Sequence, residues 1–368
     1  MRKNPFRSQA RLIRVEDHGK KLIRELLHPD NGFGGHLTLI TGPIGSGKTS
    51  LILALAKAFT DSGFTVVFRG REAFEIYRLP KWRERTLIFV PKNHKIRFIE
   101  HDHTTKELNI PYEEYESIDD LLQKIKPGKI NLIFYAKELN EQWFKVHFLG
   151  EDVKEATKYI ETIWWLEFFD KLIKKLASRK IVIMIDEAHE LFPGSNSGLL
   201  WRLLEFAKSK IADFRKYKKN LILATHDPSD LDWRINRKFD YAIYLRGAKT
   251  LKRIVWQRYT YKLDDDAAFI EGPSEFGIIH FKKLPEKRII LAQWRRTKPK
   301  ADWNEREEKH LKAIQEVAAE NDGLFKRQLV KEKMGREFHK LVYQQVVRKL
   351  IEEEKVKVMN RGVYWLIT

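Results

Sequence analysis

Two rhythms alternate along the chain. Short unbroken apolar runs bounded by glycine, proline or charge read as strands buried on both faces. They are Leu37–Ile40, Phe64–Phe68, Ile130–Tyr135, Ile181–Ile185, Leu221–Ala224 and Asp240–Leu245. Between them lie longer segments with apolar residues every three or four positions, the spacing of a helix with one buried face. These are Glu16–Leu27, Leu51–Phe59, Ile118–Ile125 behind a Ser117 N-cap, Ala156–Ala177 with its face of Trp164, Trp165, Phe168, Phe169 and Leu172, and Leu199–Tyr217. Ile254–Tyr259, Gly277–Phe281 and Arg288–Gln293 read as edge or hairpin strands, and Asp264-Asp265-Asp266 as the start of a helix over Ala267–Phe269. Strands alternating with helices predict an α/β fold built on a mostly parallel, doubly wound sheet.

Two stretches depart from this rhythm. Residues 69–116 carry short strands at Leu87–Val90, Ile96–Ile99 and Glu107–Ile110 with no helix between them, and read as an insertion. Past a linker at Thr297–Lys300 the order becomes helix (Glu305–Ala319), helix (Phe325–Met334), helix (Glu337–Glu354) and a hairpin turning at Asn360-Arg361-Gly362. Three helices closed by a hairpin predict a small winged helix-turn-helix over residues 301–368. The expected division is therefore a basic N-terminal segment (1–35), a central α/β domain (36–296) and this module.

Charge changes the picture more than composition does. The 368 residues carry a formal net charge of +19. An excess of that size favours a polyanionic partner through release of its counterions; a solvated lysine-rich surface is the plainer alternative. The absence of cysteine excludes disulfides and thiolate metal sites and suits a cytoplasmic protein. No apolar run is long enough to span a membrane, and the first residues, MRKNPFRSQARLIR, lack the apolar centre of a signal peptide.

The candidate chemistry begins where the first predicted strand ends. Gly42-Pro43-Ile44-Gly45-Ser46-Gly47-Lys48-Thr49 fits GxxxxGK[ST], set between strand and helix. Its glycines let successive N–H groups converge on an anion, and the helix N-terminus adds partial positive charge. Lys48 is placed for the β- and γ-phosphates of ATP, the Thr49 hydroxyl for Mg²⁺, and Ser50 completes the loop. This makes the predicted fold a P-loop NTPase of the RecA-like (ASCE) plan. Ile181–Ile185 followed by Asp186-Glu187 has the Walker B form, with Asp186 supporting the metal and Glu187 serving as base for the attacking water. Thr225 and His226 end the strand expected between those two and are candidates to sense the γ-phosphate; a loop histidine is the alternative for His226.

GPIGSGKT, IVIMIDEAHELFP and FRKYKKNLILATHDPSDLDWRINRKFDYAIYLR together resemble the HerA/FtsK superfamily of P-loop ATPases. The resemblance implies a hexameric ring that moves double-stranded DNA by hydrolysing ATP. It also implies that Arg215 is the arginine finger reaching a neighbour's γ-phosphate, with Lys216 and Lys218 as competitors. The superfamily usually has Gln where this chain has His226. A strand-end Thr-His-Asp also resembles the switch histidine of ABC-type ATPases, but no LSGGQ-like segment precedes Asp186. The superfamily's N-terminal β-barrel is not evident in residues 1–35.

In the C-terminal module, Arg336, His339, Lys340 and Tyr343 would begin a recognition helix and Arg361 would sit at the wing tip, all facing DNA. A protein-binding winged helix is the alternative, given Glu352-Glu353-Glu354. His94, His101 and His103 read as solvated strand histidines rather than a metal site. Two other functions fit the same motifs: an AAA+-like initiator or regulator bound to specific DNA sites, and an ATP switch controlling a protein partner.

Overall fold

The computed structural model describes residues 9–27, 35–70, 80–100, 111–176, 179–195, 197–250, 254–273, 275–284, 289–296, 305–353, 355–360 and 363–367. The chain divides into two compact units, Met1–Trp294 and Arg295–Thr368.

The larger unit is built on strands β1 (Leu37–Thr41), β2 (Thr65–Arg69), β3 (Thr86–Pro91), β4 (His94–Glu100), β5 (Glu113–Tyr115), β6 (Ile130–Ile133), β7 (Ile181–Ile185), β8 (Asn220–Thr225), β9 (Tyr241–Leu245), β10 (Ala267–Glu271), β11 (Phe276–His280) and β12 (Ile289–Arg296). Ten of them form one sheet in the order β11-β10-β9-β1-β8-β7-β2-β6-β3-β5, while β4 and β12 pair separately. Every pairing from β9 to β5 is parallel; β10 and β11 return antiparallel at one edge. The mostly parallel α/β sheet expected from the apolar runs is therefore present.

The pleat divides the core in two, because alternate residues of a strand face opposite sides. Leu37, Leu39, Val67, Ile181, Ile183, Ile185, Leu221 and Leu223 face the helices Ile118–Lys124, Glu141–His147, Ile160–Lys175 and Gly198–Lys216. Ile40, Val66, Phe68, Val182, Met184, Ile222 and Ala224 face the opposite layer, where Lys48–Asp61 and Gln9–Leu27 lie. The N-terminal helix owes its seat to Gly19: a Cβ there would stand 2.1 Å from the Ile278 carbonyl oxygen of β11. Leu22 and Leu26 then reach the core.

Three element assignments change. Residues 69–116 contribute β3 and β5 to the main sheet, lying beyond β6 at its edge; Glu107–Ile110 falls outside the described residues, as do His101 and His103. Ile254–Thr260 is a helix, although its β-branched and aromatic residues favour a strand. The buried Thr260 hydroxyl donates to the Gln257 and Ala248 carbonyls, and the Gly247 N–H to the Thr260 carbonyl, tying the helix end to the turn after β9. Ala267–Glu271 is a strand, since all five residues are buried between β9 and β11. Ser117 caps its helix by accepting from the Asp120 N–H, as expected.

The smaller unit holds helices Glu305–Glu320, Arg327–Met334 and Lys340–Glu352, with a three-stranded antiparallel sheet of β13 (Leu324–Lys326), β14 (Val356–Asn360) and β15 (Val363–Leu366) in the order β13-β15-β14. Ile314, Val317, Phe325, Val330, Val346, Val347 and Leu350 form its core.

Candidate active site

Three adjacent strands, β1, β8 and β7, end side by side, and the chain leaves each of them into one of the motifs. From β1 the loop turns through Gly45 (φ 80°) and Gly47 (φ 100°), left-handed conformations that glycine adopts without penalty. The Ser46 N–H closes the turn on the Pro43 carbonyl at 3.2 Å. The helix then starts at Lys48 with no side chain capping it, so its first N–H groups face the loop's concavity.

Lys48 is buried. Its ammonium donates to the Gly42 carbonyl at 2.7 Å, to the Pro43 carbonyl at 3.2 Å and to His226 Nδ1 at 2.7 Å. An ammonium cannot accept a hydrogen bond, so Nδ1 must be the acceptor and the imidazole proton lies on Nε2. That nitrogen stands 3.1 Å from Glu187 Oε2. His226 therefore bridges the loop's lysine to the carboxylate after β7.

The other strand ends complete the cluster. The Thr49 hydroxyl donates to Asp186 Oδ2 at 3.0 Å, and the Glu187 N–H donates to Asp186 Oδ1 at 3.1 Å. His189 stands 3.5 Å from Glu187 Oε2 and 3.4 Å from the buried Thr225 hydroxyl. Asp227 caps the short helix Pro228–Asp230 and pairs with Lys249. Burial pushes its carboxyl pKa up, but Lys249 and the Ser229 N–H and hydroxyl outweigh burial and hold it below the usual range.

Glu187 has φ 50°, which is rare for a residue with a side chain and costs on the order of 1–3 kcal/mol. Arg69, at the end of β2 and almost fully buried, holds that turn from behind. Its guanidinium donates to the Asp186 carbonyl at 3.0 Å, the Glu187 carbonyl at 3.3 Å, Glu161 at 2.7 Å and Glu190 at 2.6 Å.

The residues fit Mg²⁺. The Thr49 hydroxyl and Asp186 carboxylate converge, Ser46 Oγ is buried without a hydrogen-bond partner, and this set offers the oxygen donors Mg²⁺ prefers.

Lys48, Thr49, Asp186, Glu187 and His226 are thus brought together. Ser50 is engaged otherwise: its hydroxyl accepts from the Leu284 N–H at 3.1 Å. Arg215 lies at the opposite end of the sheet, before the first residue of β8, where it pairs with Asp240 at 3.0 Å. In the smaller unit Arg336, His339 and Lys340 are exposed. Tyr343 is buried among Val346, Val347 and Leu350, so it cannot face DNA, and that expectation is corrected; burial also raises its phenol pKa well above the usual value. Arg361 lies outside the described residues.

Sequence reasoning missed His189 and Arg69. His189 follows Glu187 by two positions, a spacing that could have drawn notice. Arg69 ends an apolar strand, where a charge signals either an edge or a buried partner.

Residues 38–246, more than half of the chain, match the family described as "ATPase family associated with various cellular activities (AAA)". The chain belongs to the AAA family. Among curated proteins none matches. Solved structures similar to this AAA ATPase include the genome packaging NTPase B204 from Sulfolobus turreted icosahedral virus 2 in complex with ATP-gammaS, at 12% identity and TM-score 0.39, covering 68% of this chain and 98% of that one. VirB4 of Thermoanaerobacter pseudethanolicus is similar at 12% identity and TM-score 0.39 over 68% and 90%. The pCW3 conjugation coupling protein TcpA is similar at 12% identity and TM-score 0.36 over 68% and 61%. No helix among the described residues is long and apolar enough to cross a membrane.

Proposed function

We propose that this AAA ATPase is a double-stranded DNA motor of the HerA/FtsK kind, hydrolysing ATP with Mg²⁺ in a hexameric ring. Lys48 binds the β- and γ-phosphates, and the N–H groups of the Gly42–Ser50 loop, Pro43 excepted, cradle the chain of phosphates. Thr49 and Asp186 hold Mg²⁺, which neutralises charge on the phosphates when bound. Glu187 takes the proton of the attacking water, and His226 exchanges Lys48 for the γ-phosphate while keeping Glu187 in register.

The observation that carries the reading is the position of Arg215. It stands at the end of the sheet away from its own phosphate loop, where its partner is Asp240. As a finger it acts only on a neighbouring subunit, which ties hydrolysis to a ring. The charge of +19 supports DNA as the polymer moved. The smaller unit, read as a winged helix, presents Arg336, His339 and Lys340 to DNA.

ATPase turnover with and without double-stranded DNA, measured together with mass in solution, tests this. Stimulation by DNA in a hexamer is expected; an unstimulated monomer overturns it. The exposed basic residues of the smaller unit also suit a site-specific initiator, which footprinting on short duplexes distinguishes by a strong sequence preference. An ATP switch acting on a protein partner is the remaining alternative, and Glu187→Gln tests it because a switch does not depend on that carboxylate for turnover.

A further inference from the structure

After β11 the chain does not leave the sheet. Residues 281–284 cross the first turn of the phosphate-loop helix and are fastened at both ends. The Phe281 N–H donates to the Asp266 carbonyl at 2.9 Å, and the Leu284 N–H to Ser50 Oγ at 3.1 Å. The buried Phe281 ring lies 3.3 Å from where a Cβ on Gly47 would stand, and Leu284 packs on the apolar layer behind the helix. Lys283 sits between those two fastenings, with Cε 3.5 Å from the same point beside Gly47. Its ammonium is one bond farther out.

A nucleoside triphosphate brings more negative charge than the loop's single lysine can answer, and Lys48 approaches from the inner side. The geometry points to Lys283 as a second phosphate ligand, delivered by the 281–284 strap from the outer side of the loop. The inference rests on the ATP-binding reading above. The present partner of Lys283 is Asp265, at 3.9 Å, with the lysine 38% and the carboxylate 68% exposed. Asp265 is held more closely by Arg246 at 2.9 Å. A contact this long and this wet is readily given up for a phosphate. Ser50 plays its part indirectly: its hydroxyl fastens the strap that carries the lysine.

The test uses the full chain and two probes, ATP and inorganic tripolyphosphate, with affinities measured by calorimetry and by competition. Lys283→Met weakens both about tenfold, the usual scale for one charge-assisted contact, and Lys283→Arg restores most of the loss. Asp265→Asn leaves both affinities unchanged or tightens them, since it releases the lysine. Unchanged affinities in Lys283→Met overturn the proposal, and so does a loss confined to ATP, which places Lys283 against the base or ribose. An equal loss in Asp265→Asn and Lys283→Met also overturns it, by reducing Lys283 to a structural counter-ion. Failure of the wild-type chain to bind either probe is the distinct outcome that removes the ATP reading itself.

Discussion

Glu187 is held in a strained turn, its carboxylate against two histidines and its carbonyl against a buried arginine. Removing its charge without changing its shape tests its role as base. Glu187→Gln is expected to keep ATP affinity and lose turnover by on the order of 10²-fold or more, in the range of general-base contributions; unchanged turnover sinks the hydrolytic role. Arg69 acts on the same turn through the backbone. Arg69→Met removes the buried guanidinium from Glu161, Glu190 and the Asp186 and Glu187 carbonyls, at a cost on the order of 1–3 kcal/mol for partly exposed carboxylates. Neutralising both acids in Arg69→Met/Glu161→Gln/Glu190→Gln should recover much of the melting temperature but not the turnover. Recovery of both makes the arginine merely a counter-charge.

Lys219 offers a pH readout far from the site. Burial lowers its pKa from 10.5 to about 8. Between those values the unfolded chain binds the proton and the folded chain does not, so this group makes stability rise as pH increases through that window. Unfolding midpoints of wild type and Lys219→Met, compared from pH 7.5 to 10.5, should converge as pH rises; parallel curves refute the shift.

The residues that reasoning from sequence reached are those whose chemistry is local. Gly42 to Thr49 is one contiguous motif, and Asp186-Glu187 follows an apolar strand directly. Arg69 escapes because its partners, Glu161, Glu190 and the Asp186 and Glu187 carbonyls, come from elements far along the chain. Tyr343 was misplaced although the signal was there: it precedes Val346, Val347 and Leu350 by three, four and seven positions, the spacing of a buried face.

At the scale of elements, β7, β8 and β9 were legible because strands buried on both faces are apolar throughout. The segments at the antiparallel edge were not. Ile254–Thr260 and Ala267–Glu271 exchanged strand for helix and helix for strand, because neighbours there outweigh local preference. The N-terminal helix makes the matching point about packing. Gly19→Ala forces a methyl group against the Ile278 carbonyl, so the helix must lift from β11. A loss of about 1–3 kcal/mol, the scale of overpacking, is expected in chemical denaturation. An unchanged midpoint means the helix is not seated there.

For the whole molecule the informative quantity is charge. A ring that meets several phosphates should lose ~10³-fold or more in DNA affinity between 50 and 200 mM salt. A flat response argues against nucleic acid as the polymer. Arg336→Ala and Lys340→Ala in the smaller unit should each lower the salt slope by about one while leaving DNA-independent ATPase activity unchanged.

One strand lies between two of the candidate residues. His226 follows β8 directly, while Arg215 sits near the end of the helix Gly198–Lys216 that turns into it, and β8 itself is a fully buried run of six residues about 20 Å long. Such a strut cannot be displaced at one end only. On the proposed function, a pull on Arg215 by a neighbouring subunit would be passed along this strand towards the imidazole that spaces Lys48 from Glu187, linking one subunit's readiness to hydrolyse to what its arginine holds next door. Firing in turn around a ring would then need no separate messenger.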